Sequence, residues 1–135
     1  MQDCDIVLVE DNPDDAALIM RALRRNHAGD RVRLLTDGAL ALDAFPEIEA
    51  ARVVLLDLKL PKVSGLEVLK AIKGNPATRT VPVVILTSSR EEPDIAAAYE
   101  LGANSYIVKP VDFGQFVDVI SKASAYWQFL NQRTA

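Results

Sequence analysis

Val53-Val54-Leu55-Leu56-Asp57 runs four valine and leucine residues straight into one carboxylate, and Lys59-Leu60-Pro61-Lys62-Val63-Ser64-Gly65 follows as a loop. A continuous apolar run this short reads as a strand covered on both faces, the kind that builds parallel sheets. Asp57 then sits at the strand's C-terminal end, where open α/β sheets place their ligand sites. A lone carboxylate there costs stability unless a metal or a lysine accompanies it. Such partners are therefore expected elsewhere in the chain.

Three further runs have the same character. Asp5-Ile6-Val7-Leu8-Val9 ends in Glu10-Asp11, and Ser105-Tyr106-Ile107-Val108 ends in Lys109-Pro110. Residues 81–86, with Pro82 near their start, stop at Thr87-Ser88-Ser89. Arg31-Val32-Arg33-Leu34-Leu35 alternates and predicts an edge strand. Helical segments lie between. Asn12 is an N-cap, Pro13 suits the first helical position, and Asp14-Asp15 favours the positive end of the dipole. Ala16, Ile19, Met20 and Leu23 continue at helical spacing, with Gly29 as the expected stop. Thr36-Asp37-Gly38 turns into a short helix over 39–44, which Pro46 interrupts, leaving 47–52 as a loose connection. Ser64 and Glu67 have capping-box spacing and open a helix that Gly74-Asn75-Pro76 ends. Asp94 is expected to cap a helix over 95–101, stopped by Gly102, and a last helix runs from about Phe113 toward Leu130. Strand and helix alternate five times. Neighbouring strands are then parallel with right-handed crossovers. The predicted fold is α/β, a doubly wound five-stranded parallel sheet of order 2-1-3-4-5, forming one domain over residues 1–135 with an extended C-terminal helix.

Half of the 135 residues are hydrophobic and a quarter are charged, which suits a single domain with one sizeable core. A net charge of −4 lacks the basic footprint that nucleic-acid binding needs. Cys4 is the one cysteine, so neither an intramolecular disulfide nor a thiol-rich metal site is available. It is expected as a small residue near the first strand, and His27 as a solvated one. No apolar run approaches the roughly 20 residues of a membrane span, and the N-terminus lacks a signal pattern. The expectation is a cytoplasmic protein that binds neither nucleic acid nor membrane.

In a parallel sheet the C-terminal strand ends share one edge. That edge carries Glu10, Asp11, Asp57, Thr87 with Ser88, and Lys109. Three acids in one cleft raise one another's pKa unless a cation sits among them. Hard oxygen ligands suit Mg²⁺ or Mn²⁺ better than Zn²⁺. The set also suits phosphoryl transfer to a carboxylate, with Asp57 as nucleophile. A metal and Lys109 would neutralise charge on the transferring oxygens, and Thr87 would donate to one of them. Singly these are ordinary strand-end residues. Their joint occurrence at four strand ends is what points to chemistry.

The motifs Val9-Glu10-Asp11-Asn12, Leu55-Leu56-Asp57-Leu58-Lys59-Leu60-Pro61, Gly65-Leu66-Glu67-Val68-Leu69, Leu86-Thr87-Ser88 and Tyr106-Ile107-Val108-Lys109-Pro110 span nearly the whole chain. Together they resemble the CheY-like receiver domains of response regulators in bacterial two-component signalling, which have a flavodoxin-like fold. The resemblance implies that Asp57 accepts a phosphoryl group from a sensor histidine kinase. It implies that Glu10, Asp11, Asp57 and the Lys59 backbone carbonyl hold Mg²⁺, and that Lys109 pairs with the phosphoryl group. Thr87 is then the switch hydroxyl and Tyr106 the aromatic residue coupled to it. Such domains catalyse their own phosphorylation and dephosphorylation rather than acting as enzymes on other substrates. Their Lys-Pro junction, here Lys109-Pro110, is commonly cis. Lys59 and Ser89 match positions that modulate rate. A long cation at Lys59 screens the phosphoryl group from water, so slow dephosphorylation is expected.

Phe113, Phe116, Val117, Ile120, Ser124 and Trp127 form one stripe on the last helix. Val119, Ala123, Tyr126 and Leu130 form a second, joined by Phe129, which suggests a contact with a partner or a second copy. The Glu-Asp-Asn-Pro start and Tyr126-Trp127-Gln128-Phe129-Leu130 are similar to single-domain regulators of phytochrome-type histidine kinases. That similarity implies a homodimer through the fourth helix, fifth strand and fifth helix, with Tyr126, Trp127, Phe129 and Leu130 at the interface. The expected function is a stand-alone regulator without an output domain. One alternative is a relay intermediate that passes phosphate to a histidine phosphotransfer protein. Another, of a different class, is a small flavin-binding electron carrier of the same topology. Glu10-Asp11-Asn12-Pro13-Asp14-Asp15 stands against it, since it would repel a flavin phosphate.

Overall fold

In a computed structural model, which describes residues 5–25 and 31–132, the expected sheet is present. Its strands are β1 (Ile6–Val9), β2 (Val32–Leu35), β3 (Val53–Leu56), β4 (Val83–Thr87) and β5 (Ser105–Val108). All pair in parallel, in the order β2-β1-β3-β4-β5. The helices are α1 (Pro13–Arg24), α2 (Gly38–Leu42), α3 (Phe45–Ala50), α4 (Gly65–Gly74), α5 (Glu92–Glu100) and α6 (Phe113–Ala125). The expectations for Cys4, His27 and Gly29 lie outside the described residues.

Strand alternation divides the core into two layers. Val7, Val9, Val54, Leu56, Val83 and Ile85 face one side, against Ile48 of α3, Val68, Leu69 and Ile72 of α4, and Ala98 of α5. Ile6, Leu8, Val53, Leu55, Val84 and Leu86 face the other, against Ile19 and Leu23 of α1 and Phe116, Val117 and Ile120 of α6. Both faces are covered, which is why β1, β3 and β4 read as continuous apolar runs. Each fully buried Val, Leu or Ile contributes about 1.5–3 kcal/mol, so these three central strands anchor the sheet. The β2 strand is an edge strand as expected, but its alternation fails at Leu34, which is 38% exposed.

Several local expectations need correction. The segment read as one short helix and a loose connection is two helices. Asp37 caps α2 by accepting the Leu40 N–H at 2.8 Å. Pro46 lies in the first turn of α3, where a missing N–H costs nothing, so it opens a helix instead of interrupting one. The expected fourth and fifth helices are therefore α5 and α6. The β4 strand begins at Val83, after Pro82, and includes Thr87. Likewise α5 starts at Glu92 with Pro93 in its first turn. Asp94 lies inside that turn and does not cap it; its carboxylate accepts the Ser89 hydroxyl instead. The Lys109–Pro110 bond is trans, as is every described peptide bond. An X–Pro amide favours that isomer by about 0.5–1 kcal/mol. Phe113 does not join the stripe of α6 that covers the sheet. At the helix's first position it is 71% exposed and lines a cavity beside Leu18 of α1. The end of the last helix widens into a π-helical turn, Tyr126–Leu130, closed by the Asn131 N–H bonding the Tyr126 carbonyl at 2.8 Å.

Two glycines answer to geometry. Gly102, with φ of 102°, ends α5 in a conformation that costs glycine little. Gly65 opens α4 against the end of β3, where a Cβ would run into the Asp57 carbonyl and the Leu58 Cα. Gly65→Ala is expected to destabilise the fold by about 1–3 kcal/mol, the range for overpacking a close contact. Urea denaturation would read this as a lower midpoint at unchanged slope. An unchanged midpoint would show that α4 retreats from Asp57 at no cost.

Candidate functional site

Parallel register brings the strand ends together. Val9 lies opposite both Leu35 and Leu56, and Thr87 lies opposite Val108. The ladder continues one residue further. The Asp57 N–H donates to Val9 at 3.1 Å, the Glu10 N–H to Leu35 at 3.0 Å and the Lys109 N–H to Thr87 at 2.8 Å. Side chains from β1, β3 and β5 therefore converge on one point. Lys109 Nζ lies 2.7 Å from Glu10 Oε1, 2.8 Å from Asp15 Oδ2 and 3.3 Å from Asp57 Oδ2. An ammonium has three donors, and each meets a carboxylate. The other Asp57 oxygen, Oδ1, accepts the N–H groups of Leu58 and Lys59 at 2.7 and 3.4 Å.

The cluster is dry. Glu10 is 1% exposed, Asp57 7% and Lys109 8%. Burial pushes the Glu10 carboxyl up to about 7, against the stabilising bond from Lys109 and with help from the Asp57 charge. For Lys109, burial works against the charged form, but the bonds to Asp15 and Glu10 and the charge of Asp57 outweigh it. Its pKa is held above the ordinary lysine range. One carboxylate oxygen from each of Glu10, Asp11 and Asp57 lies within 4.8 Å of the others. Three hard oxygen donors beside a single ammonium retain net negative charge, and this donor set fits a small divalent cation such as Mg²⁺ or Mn²⁺.

The other residues singled out from sequence are placed as follows. Thr87 is fully buried, and its hydroxyl accepts the Ser89 N–H at 3.4 Å. The Tyr106 hydroxyl donates to the Ser89 carbonyl at 3.0 Å while its ring packs on the α4 side of the sheet. Burial pushes that phenol above its ordinary pKa. Lys59 is exposed, with Nζ 3.8 Å from Asp94 Oδ2. Tyr126, Phe129 and Leu130 are exposed on the last turn, whereas Trp127 packs partly against the α1–α6 core and edge-on to Tyr126. Asp15 was not recognised from sequence, where it read as a helix-dipole acid. The available signal was its place three residues after the Asn12 cap, on the turn nearest the acidic strand end; the Asn12 carboxamide oxygen holds that turn by accepting the Asp14 and Asp15 N–H groups at 2.9 and 3.0 Å.

Removing Lys109 tests this arrangement. Lys109→Met leaves Glu10 and Asp57 buried without their counter-charge, and loss of one partner of a buried ion pair costs about 3–5 kcal/mol. A buried acid with a raised folded pKa binds more protons folded than unfolded, so its stability falls as pH rises through that window. The full loss is therefore expected at pH 8 and a smaller one at pH 5, measured by denaturation in chelator. Equal losses at both would show that Glu10 does not depend on Lys109.

Comparison with known proteins fits this geometry. The family model for the response regulator receiver domain matches residues 6–121. The chain is 43% identical over 127 residues to the probable methanogenesis regulatory protein FilR2 of Methanothrix harundinacea, covering 90% of this chain and 82% of that protein. The phosphorylated form of the cyanobacterial phytochrome response regulator RcpA superimposes with a TM-score of 0.89 at 33% identity, covering 98% of this chain and 99% of that one. The Mn²⁺-bound form of Rcp1, a response regulator of Synechocystis, does so with a TM-score of 0.83 at 34% identity, over 98% and 99% of the two chains. A doubly wound sheet whose strand ends gather Glu10, Asp11, Asp57 and Lys109 thus coincides with a family match over most of the chain, and the protein belongs to the response regulator receiver domains, phosphoacceptors of two-component signalling.

Proposed function

We propose that Asp57 is the phosphoacceptor of this chain. The observation that supports this most directly is the placement of the Lys109 ammonium between Asp57 and Glu10, with Asp11 completing a cation-binding set on the same edge. Asp57 Oδ2 attacks the phosphorus of a phosphohistidine on a sensor kinase, and the bond from phosphorus to the histidine nitrogen breaks. Glu10, Asp11 and Asp57, with the Lys59 carbonyl, would hold Mg²⁺ or Mn²⁺, which would supply positive charge beside the transferring oxygens. Lys109 exchanges part of its carboxylate pairing for a phosphoryl oxygen. Thr87 donates to another, and its movement draws on the Ser89–Tyr106 bond beside β5. The domain thereby catalyses its own phosphorylation and, with water in place of the carboxylate, its own dephosphorylation.

Val111 and Phe113, 94% and 71% exposed, border the cavity that Lys109 lines and give the kinase an apolar landing beside the site. The likeness to RcpA over almost the full chain supports a phytochrome-type kinase as the donor. Exposed Tyr126, Phe129 and Leu130 on the last turn support homodimerisation continuous with α5, β5 and α6.

Incubation with acetyl phosphate and Mg²⁺, followed by intact-protein mass measurement, tests the chemistry. One phosphoryl adduct is expected, absent in Asp57→Ala and absent in chelator. An adduct that persists in Asp57→Ala would place the acceptor elsewhere. For the dimer, Phe129→Asp with Leu130→Asp is expected to shift sedimentation of the beryllofluoride-treated protein from dimer to monomer. A wild-type protein that remains monomeric would remove that part of the reading.

A further inference from the structure

Asp94 lies outside the acidic cluster, on the first turn of α5, yet it gathers both residues that flank the site on that side. Its Oδ2 accepts the Ser89 hydroxyl at 2.5 Å and lies 3.8 Å from Lys59 Nζ. Ser89 is fixed further by the Glu91 N–H, which its hydroxyl accepts at 3.2 Å, and by Tyr106 on its carbonyl. Lys59, its side chain 73% exposed, makes a long contact at each end, 3.4 Å at the backbone and 3.8 Å at the ammonium. Its backbone N–H is at Asp57 Oδ1 and its ammonium at Asp94, so its four-carbon stem spans from the acceptor carboxylate to the start of α5.

We propose that Asp94 is a positioning residue that sets the lifetime of the phosphorylated state. By tying Lys59 and Ser89 to one carboxylate oxygen, it closes the β3–β4 side of the site to attacking water. The inference rests on Asp57 as phosphoacceptor. The step it slows is hydrolysis. Water oxygen bonds to phosphorus as the bond from phosphorus to the Asp57 oxygen breaks, and that electron pair returns to the carboxylate. The protons of water pass to phosphate and solvent. An alternative role, in which Asp94 only steadies the start of α5 through Ser89, does not involve Lys59.

Asp94→Asn separates the two roles, because the amide oxygen still accepts from Ser89 while the charge that holds Lys59 is gone. The wild type and variant are phosphorylated with acetyl phosphate, the donor is removed, and loss of the adduct is followed by intact mass. Adduct loss is expected to be about two- to fivefold faster in Asp94→Asn, the factor that a partly exposed ion pair can supply. Lys59→Met should accelerate loss similarly, and the double variant should decay no faster than either single one. Raising salt to about 1 M, where the screening length falls to roughly 3 Å, should accelerate the wild type more than Asp94→Asn. Asp94→Glu should recover most of the wild-type lifetime. A wild-type rate in Asp94→Asn, or singly additive effects in the double variant, would overturn the proposal while leaving the acceptor reading intact. No adduct on the wild type would overturn both.

Discussion

The Lys109 ammonium, shared by Glu10, Asp15 and Asp57, ties together three strand ends and the first turn of a helix. Charges this dry are stable only when paired and fully hydrogen-bonded. The pairing here is incomplete: one cation pairs with Glu10, Asp15 and Asp57, and Asp11 lies beside Glu10 and Asp57 without a bond to it. Glu10 sits deepest and carries the cost, its proton affinity raised to about 7 by burial. That leftover negative charge is what a divalent cation would satisfy. The surplus of carboxylate over ammonium on this edge is the charge balance that a small hard cation fits.

Such a cluster needs a rigid frame, and the sheet supplies it. Because β1, β3 and β4 are buried on both faces, a slip of one residue in any of them would exchange two well-packed layers. Register is therefore strongly held, and the hydrogen bonds that carry Glu10, Asp57 and Lys109 past the strand ends inherit that precision. Gly65 extends it to α4, whose start lies against the Asp57 backbone. Between them lies Lys62, whose φ of 70° is unusual for a residue with a side chain, and its ammonium reaches Asp37 at 3.5 Å. The loop after Asp57 is held closely on both sides.

Much of this could be read from the chain. Apolar runs ending in Asp57, Glu10 and Lys109 encode both the strands and the site, since parallel topology forces their ends onto one edge. What escaped had a common cause: local signals carry two meanings until packing chooses one. Pro46 reads equally as a break or as the first turn of a helix, and burial of Ile48 decides for the helix. Asp94 reads as a cap, but Pro93 lets α5 start earlier and frees the carboxylate to take Ser89. Phe113 fits the apolar stripe by spacing, yet at the first position of α6 it lies beyond the layer that Phe116 begins. Asp15 is an ordinary first-turn acid until the fold places Lys109 beneath it.

The bonds around Ser89 indicate how occupancy of the site would reach the surface of α5 and β5. Thr87 is joined to Ser89 by a long hydrogen bond of 3.4 Å, whereas Ser89 is held by shorter ones to Asp94 and Tyr106. On the proposed reading, the Thr87 hydroxyl donates to a phosphoryl oxygen and, in moving toward it, stretches the longest of these contacts, in which it accepts the Ser89 N–H. Its departure removes one support of the Ser89 backbone. Tyr106, half-buried on the edge strand and bound to the Ser89 carbonyl, then loses a fixed acceptor. An edge strand with an aromatic residue anchored at its tip through a loop is well suited to this. It can change what α5 and β5 present without disturbing β1, β3 and β4, whose burial keeps the acidic cluster in place.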